Sequence, residues 1–180
     1  QGILTDKGRC YWQKVYEIPE GSHAAKGRSI ANLVEMEKDE ATTSYLAVRD
    51  FTAKQFVFFV TRNGKVKRVT LDQFANPRRK GIIAMGIDKG DALVATLLTS
   101  GKDDMLIVTQ DGMGIKFKEK DARDMGRSAA GVRGIRLRKG DRVIGAVVCC
   151  EGSSLLTVFV NGYGKRTDFE MFPIRHRGAM

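Results

Sequence analysis

Histidine is almost missing from this sequence. Only His23 and His176 occur, and neither has a Cys, Asp or Glu at the spacing a metal site requires. Both read as loop or phosphate-proximal residues, so no metal is expected. Cysteine is scarce and odd in number (Cys10, Cys149 and Cys150), which argues against a disulfide framework. Cys149 and Cys150 end an apolar run and are expected as buried thiols in a reducing compartment. No apolar run approaches the ~18 residues of a membrane span, and the first residues carry no secretory pattern. Gln1 falls in mid-strand, which reads as a domain boundary. No strong stripe of period 3.6 appears, which excludes a helical solenoid. No Ser-His-Asp or Cys-His arrangement suggests itself. The stretch Gly112-Met113-Gly114 lacks the third glycine of a dinucleotide fingerprint. GRSAAGVRG, at 126–134, lacks the Gly-Lys-Ser/Thr end of a phosphate-binding P-loop. These gaps leave a binding module, with no catalytic residue and no cofactor of its own.

Positive charge is what the sequence has in excess. Lys and Arg number 31 against 21 Asp and Glu, a net charge of +10 in 180 residues. Such an imbalance implies an acidic partner, nucleic acid first and an anionic membrane surface second. A hydrophobic content of 42% is enough for a core in one domain or one compact array.

The charge is periodic. Turn glycines Gly8, Gly64, Gly112 and Gly162 recur at intervals of 56, 48 and 50 residues. A basic strand follows each: Arg9 to Trp12, Val66 to Val69, Ile115 to Lys118 and Gly164 to Thr167. A basic glycine loop comes next, marked by Gly27, Gly81, Gly131 and Gly178. Three of these loops lead into short apolar segments, Ile30 to Val34, Ile82 to Ile87 and Val132 to Leu137. In the third, Ile135 to Leu137 reads as a strand. An acidic or glycine turn and an apolar strand close each unit. Asn-Gly and Asp-Gly between alternating runs are strong hairpin signals. A period near 50 with about four short strands per unit predicts an all-β, propeller-like array of four-stranded blades. The units are 1–52, 53–100, 101–150 and a partial 151–180, forming one domain. Short helical turns are possible at Leu71 to Phe74 and Glu119 to Met125. Tyr11, Tyr16, Tyr45 and Tyr163 read as core or cross-strand residues. Phe56, Phe58, Phe59, Phe117 and Phe159 read as core.

Four strings, KVYEIPE (14–20), FANPRRKGI (74–82), MGRSAAGVRGIRL (125–137) and NGYGKRT (161–167), resemble the C-terminal domain of the A subunit of bacterial DNA gyrase. The likeness runs in order over essentially the whole chain. The C-terminal domain of the topoisomerase IV A-type subunit is a close relative with more degenerate loops. The resemblance implies a β-pinwheel whose blades exchange a strand with their neighbours and whose basic rim binds, bends and wraps double-stranded DNA. It implies a holoenzyme with the N-terminal core of the gyrase A subunit and with the gyrase B subunit, in the bacterial cytoplasm, performing ATP-dependent negative supercoiling. The cleavage tyrosine, the ATP site and its Mg would belong to other domains. No membrane partner is implied. The family's first-blade loop, Gln-Arg-Arg-Gly-Gly-Lys-Gly, has no intact copy here, so that motif does not separate gyrase from topoisomerase IV. The chain reads as starting just after that blade.

Within the basic loops, glycine permits close backbone approach to a phosphate, while Arg and Lys supply charge-assisted hydrogen bonds. The expected phosphate contacts are Lys26, Arg28, Arg78, Arg79, Lys80, Arg127, Arg133, Arg175 and Arg177. A second tier on the strands comprises Lys65, Lys67, Arg68, Lys116, Lys118, Lys165 and Arg166. No aromatic interleaving points to base stacking. The expected readout is therefore backbone contact plus bending, with little sequence preference. A propeller scaffold for an acidic protein partner is the competing function.

Overall fold

The computed structural model describes residues 1–27, 29–76 and 78–179. Turn chemistry sets its organisation. In Thr5 to Gly8, Thr61 to Gly64 and Thr109 to Gly112, the glycine amide donates to the threonine carbonyl at 3.0, 3.0 and 3.1 Å. Each buried threonine hydroxyl then accepts from the next backbone amide, that of Arg9, Lys65 or Met113. The three glycines adopt φ of 75°, 81° and 80°, in the left-handed region that closes such turns without a Cβ penalty.

These turns join β1 (Gly2–Thr5) to β2 (Arg9–Trp12), β4 (Phe56–Thr61) to β5 (Lys65–Thr70), and β8 (Asp104–Thr109) to β9 (Gly114–Lys118). A fourth hairpin pairs β12 (Ser154–Val158) with β13 (Gly164–Asp168). The remaining strands are β3 (Thr42–Leu46), β6 (Ile82–Ile83), β7 (Leu93–Thr99), β10 (Val132–Arg133) and β11 (Val143–Cys149). The sheet orders are β3-β1-β2-β6, β10-β5-β4-β7, β11-β8-β9 and β12-β13, with every strand pair antiparallel. The fold is thus all-β. Its helical content is confined to single 3₁₀ turns, among them Leu71–Phe74 and Glu119–Asp121. The second of these is shorter than expected and stops before Met125.

Neighbouring sheets are interlocked. β6 lies in the second unit of the sequence but completes the first sheet, pairing Arg9 with Ile83 and Cys10 with Ile82. β10, from the third unit, completes the second sheet by pairing Val132 with Val66 and Arg133 with Lys65. The expected strand at Ile135 to Leu137 is therefore displaced upstream, to Val132–Arg133. The chain pairs directly after Gly131 leaves its left-handed turn, and Ile135 drops into the core instead.

Alternation in β4 builds two cores from one strand. Val57 and Phe59 pack with Leu4, Val69, Phe74 and Met85 on one side. Phe58 and Val60 pack with Met105, Ile107, Ile115 and Phe117 on the other. Both faces of the second sheet are consequently covered. Burying each such side chain contributes about 1.5–3 kcal/mol.

Several expectations about individual residues change. Tyr11 is buried, but Tyr16, Tyr45 and Tyr163 are exposed, with Tyr45 paired across the strands to Ile3. Phe58, Phe59 and Phe117 are core, Phe56 is half-buried, and Phe159 is exposed beyond the end of β12. Cys10 is the buried thiol. Cys149 is half-buried and Cys150 exposed, because β11 ends at Cys149 and the chain turns outward.

Candidate nucleic-acid interface

The basic loops are placed by the hairpin turns of the preceding unit. The Gly8 carbonyl accepts from the amides of Ala84 and Met85, and the Gly64 carbonyl from those of Gly134 and Ile135. The approach is close enough to require glycine. A Cβ on Gly8 would lie 2.3 Å from the Met85 carbonyl oxygen, and one on Gly64 would lie 2.8 Å from Ile135 Cγ2. The loops also bond to each other, Gly86 N–H to the Ala129 carbonyl at 3.1 Å and Arg136 N–H to the Ala179 carbonyl at 2.9 Å. Successive loops therefore form one continuous edge.

On that edge lies a groove of about 580 Å³, lined by Arg9, Arg78 and Arg127 with Gln73, Ser128 and Gly81–Ile83. One arginine comes from each of three successive units. Arg9 is held by its own neighbours, donating to the Lys80 carbonyl at 2.7 Å and pairing with Glu37 at 2.9 Å and Glu40 at 3.7 Å. Arg9 and Gln73 are absent from the expected contacts. Repeat register holds the missing signal, since Arg9 follows Gly8 as Lys65 follows Gly64.

The other expected contacts divide by environment. Lys26, Lys80, Arg133, Arg175, Lys165 and Arg166 are exposed. Arg79 is also exposed, with an ion pair to Glu35 at 3.0 Å. Arg28 lies outside the described residues. Lys65 sits across from Arg133 in the β5–β10 pair and forms an ion pair with Asp88. Lys118 pairs with Asp104 at 2.7 Å. Arg177 is partly committed, donating to the carbonyls of Asp121 at 2.6 Å and Arg133 at 3.1 Å.

Three expectations fail on burial. Lys67 is 0% exposed, and its ammonium donates to the carbonyls of Gly126, Arg127 and Ala129. The Arg68 side chain is 12% exposed, bonded to Asp124, 4.0 Å from buried Glu119, and stacked over Phe56 at 4.5 Å. That of Lys116 is 11% exposed and donates to the Phe169 carbonyl at 3.1 Å. Side chains of a strand alternate between faces, so Lys67 and Arg68 leave β5 on opposite sides, and each meets third-unit residues there, while Lys116 of the third sheet meets Phe169 of the fourth unit; these cations bond protein in place of phosphate. Burial, with Arg127 nearby, lowers the Lys67 pKa to about 7. The carbonyl acceptors oppose that trend, because they favour the charged form.

The fold is shared with known proteins. The family model described as "DNA gyrase C-terminal domain, beta-propeller" matches residues 3–43, 55–100, 103–150 and 160–180. The DNA gyrase A subunit of Salmonella typhimurium is 42% identical over 176 residues, covering 98% of this chain and 20% of that protein. The Escherichia coli K12 protein of the same name is 40% identical over the same length, with the same coverage. The chain spans about a fifth of the length of these relatives. Among solved structures, the C-terminal domain of DNA topoisomerase IV superposes with a TM-score of 0.89 at 27% identity, covering 99% of this chain and 56% of that one. A DNA gyrase A C-terminal domain superposes with a TM-score of 0.84 at 24% identity, covering 99% and 57%, a likeness of fold.

Proposed function

The chain belongs to the DNA gyrase C-terminal domain family, and from that premise we propose that it binds double-stranded DNA along the edge formed by its basic loops, bending the duplex with little sequence preference. The observation that carries this reading is the groove in which Arg9, Arg78 and Arg127 meet. Arg78 and Arg127 suit successive phosphates, because Arg forms charge-assisted, bidentate contacts with phosphate oxygens, while Arg9, bound to Glu37, Glu40 and the Lys80 carbonyl, adds positive charge to the groove wall. The exposed cations Lys26, Arg79, Lys80, Arg133, Arg175, Lys165 and Arg166 add further charge for phosphate contact.

In the parent enzyme, this edge presents a wrapped segment to the strand-passage core in the N-terminal part of the A subunit. That supports ATP-dependent negative supercoiling together with the B subunit, in the bacterial cytoplasm. ATP and Mg are held by other domains of that enzyme. The chain's own residues contribute position and charge. They neutralise phosphates, offset the elastic cost of bending through added contacts, and leave base edges unread.

The test is duplex binding at rising salt. Neutralising roughly 6–8 phosphates gives a slope of log affinity against log salt of about −5 to −7. Replacing Arg78 and Arg127 together by alanine should flatten that slope by about 2 and weaken all sequences alike. A salt-independent affinity, or a loss confined to one sequence, refutes the reading. Ligation of minicircles in the presence of the chain then separates wrapping, which shifts linking number, from bending alone.

A further inference from the structure

We propose that Lys67 is a positioning residue for this interface: its buried ammonium holds the Gly126–Ala129 loop of the following unit in the shape that presents Arg127 and Ser128 to the groove. The inference rests on the DNA-binding reading above. Lys67 projects from β5, and its Nζ is 3.1 Å from the Gly126 carbonyl oxygen and 3.0 Å from that of Ala129, with the Arg127 carbonyl as third acceptor. An ammonium has three donors, and this loop supplies three acceptors. The Ala129 carbonyl also receives the Gly86 amide, so the second unit grips it twice. The ammonium lies over the Phe59 ring, 5.4 Å from its centroid. Burying a lysine carries a large desolvation cost. An apolar side chain would avoid that cost, so the pattern needs another cause.

The other units show what that cause is. Three residues after the turn glycine stand Tyr11, Lys67, Ile115 and Lys165. In the first unit, the Tyr11 ring lies directly under Gly81, 2.6 Å from where a Cβ would be, and the cation on that loop is Arg9, which donates to the Lys80 carbonyl at 2.7 Å. In the third unit, Ile115 cannot donate, and the loop that follows anchors itself. Arg177 donates to the Asp121 and Arg133 carbonyls. Arg177 is thereby committed to protein. In the Gly126–Ala129 loop the preceding unit provides the cation, and among the described residues the Arg127 guanidinium makes no hydrogen bond to protein. It is left to line the groove. Lys67 thus acts through Arg127 and never touches the duplex itself.

A double-mutant cycle in the 180-residue chain tests this. Affinity for a mixed-sequence duplex is measured across salt for wild type, Lys67→Met, Arg127→Ala and the double variant, with folding checked by denaturation. Lys67→Met should weaken binding about tenfold, as expected when one charge-assisted contact is lost, and flatten the salt slope by about 0.9. The double variant should bind no more weakly than Arg127→Ala. Wild-type affinity and slope in folded Lys67→Met would overturn the inference, as would additive losses. Should Lys67→Met not fold, Lys67→Gln, which keeps two donors without charge, takes its place, and failure of both to fold assigns Lys67 a purely structural role. A flat wild-type slope sinks the DNA-binding reading itself. A steep wild-type slope with an unchanged Lys67 variant sinks only this one.

Discussion

Gly64 and Gly112 close turns of the same kind, at φ of 81° and 80°, yet they face different surroundings. A Cβ on Gly112 meets nothing within 4 Å, whereas one on Gly64 lies 2.8 Å from Ile135 Cγ2 and 3.1 Å from the Ile135 carbonyl oxygen. Alanine at either site incurs the left-handed backbone penalty of about 1–2 kcal/mol. At Gly64 it also forces overpacking against a buried residue, roughly a further 1–3 kcal/mol. Gly112→Ala should therefore cost about 1–2 kcal/mol, and Gly64→Ala about 2–5 kcal/mol. The difference measures the docking of one unit's turn under the next unit's loop. Urea unfolding of the two variants reads it directly, and for a chain of this size each kcal/mol corresponds to roughly 2–4 °C in Tm. Equal losses would refute the idea that the turn carbonyls seat the loops by close approach.

Other consequences follow from buried charge and thiol placement. The folded pKa of Lys67, about 7, lies below its ordinary value of 10.5, so between those values the unfolded chain binds more protons and stability rises with pH. The rise should approach ~1.4 kcal/mol per pH unit and be missing from Lys67→Met. Denaturation at pH 7 and 9 compares the two, and parallel slopes would show that burial does not lower the Lys67 pKa. Arg68→Met should destabilise by about 3 kcal/mol, because Glu119 is left buried without its partner, while the salt slope of the folded variant stays as in wild type. A shallower slope would return Arg68 to the phosphate contacts. In a thiol-reagent assay, exposed Cys150 should react fast. Cys10, buried with its pKa pushed up to about 12, should react only on unfolding; rapid labelling of Cys10 in the native state contradicts the placement.

The hairpins were legible because their signal is local. Threonine, two polar residues and glycine, flanked by alternating runs, specify β1–β2, β4–β5 and β8–β9 with no tertiary information. β6 and β10 were not. Each is two residues long and finds its partner in the previous unit, so Ile82 pairs with Cys10 across 72 positions and no turn marks the register. The same holds for charge. Lys65, Lys67 and Arg68 form one basic run in the sequence, but third-unit residues meet β5 on both faces, so Lys67 bonds the Gly126–Ala129 loop and Arg68 bonds Asp124, while Lys65 stays half-buried opposite Arg133. A rim arginine can be read from repeat phase, as Arg9 shows. Which cations are drawn inside is decided by what packs on top.

The borrowed strand at Ile82–Ile83 constrains how an array of this kind can be cut or lengthened. Severing the chain between Thr52 and Ala53 would strip β2 of its outer neighbour and leave the amides and carbonyls beside Arg9 and Cys10 unpaired, an open edge of the sort that recruits foreign strands. A unit gained or lost by recombination must therefore carry its donor segment to the sheet before it, and a lineage that changes its number of blades has to do so at points offset from the sheets themselves.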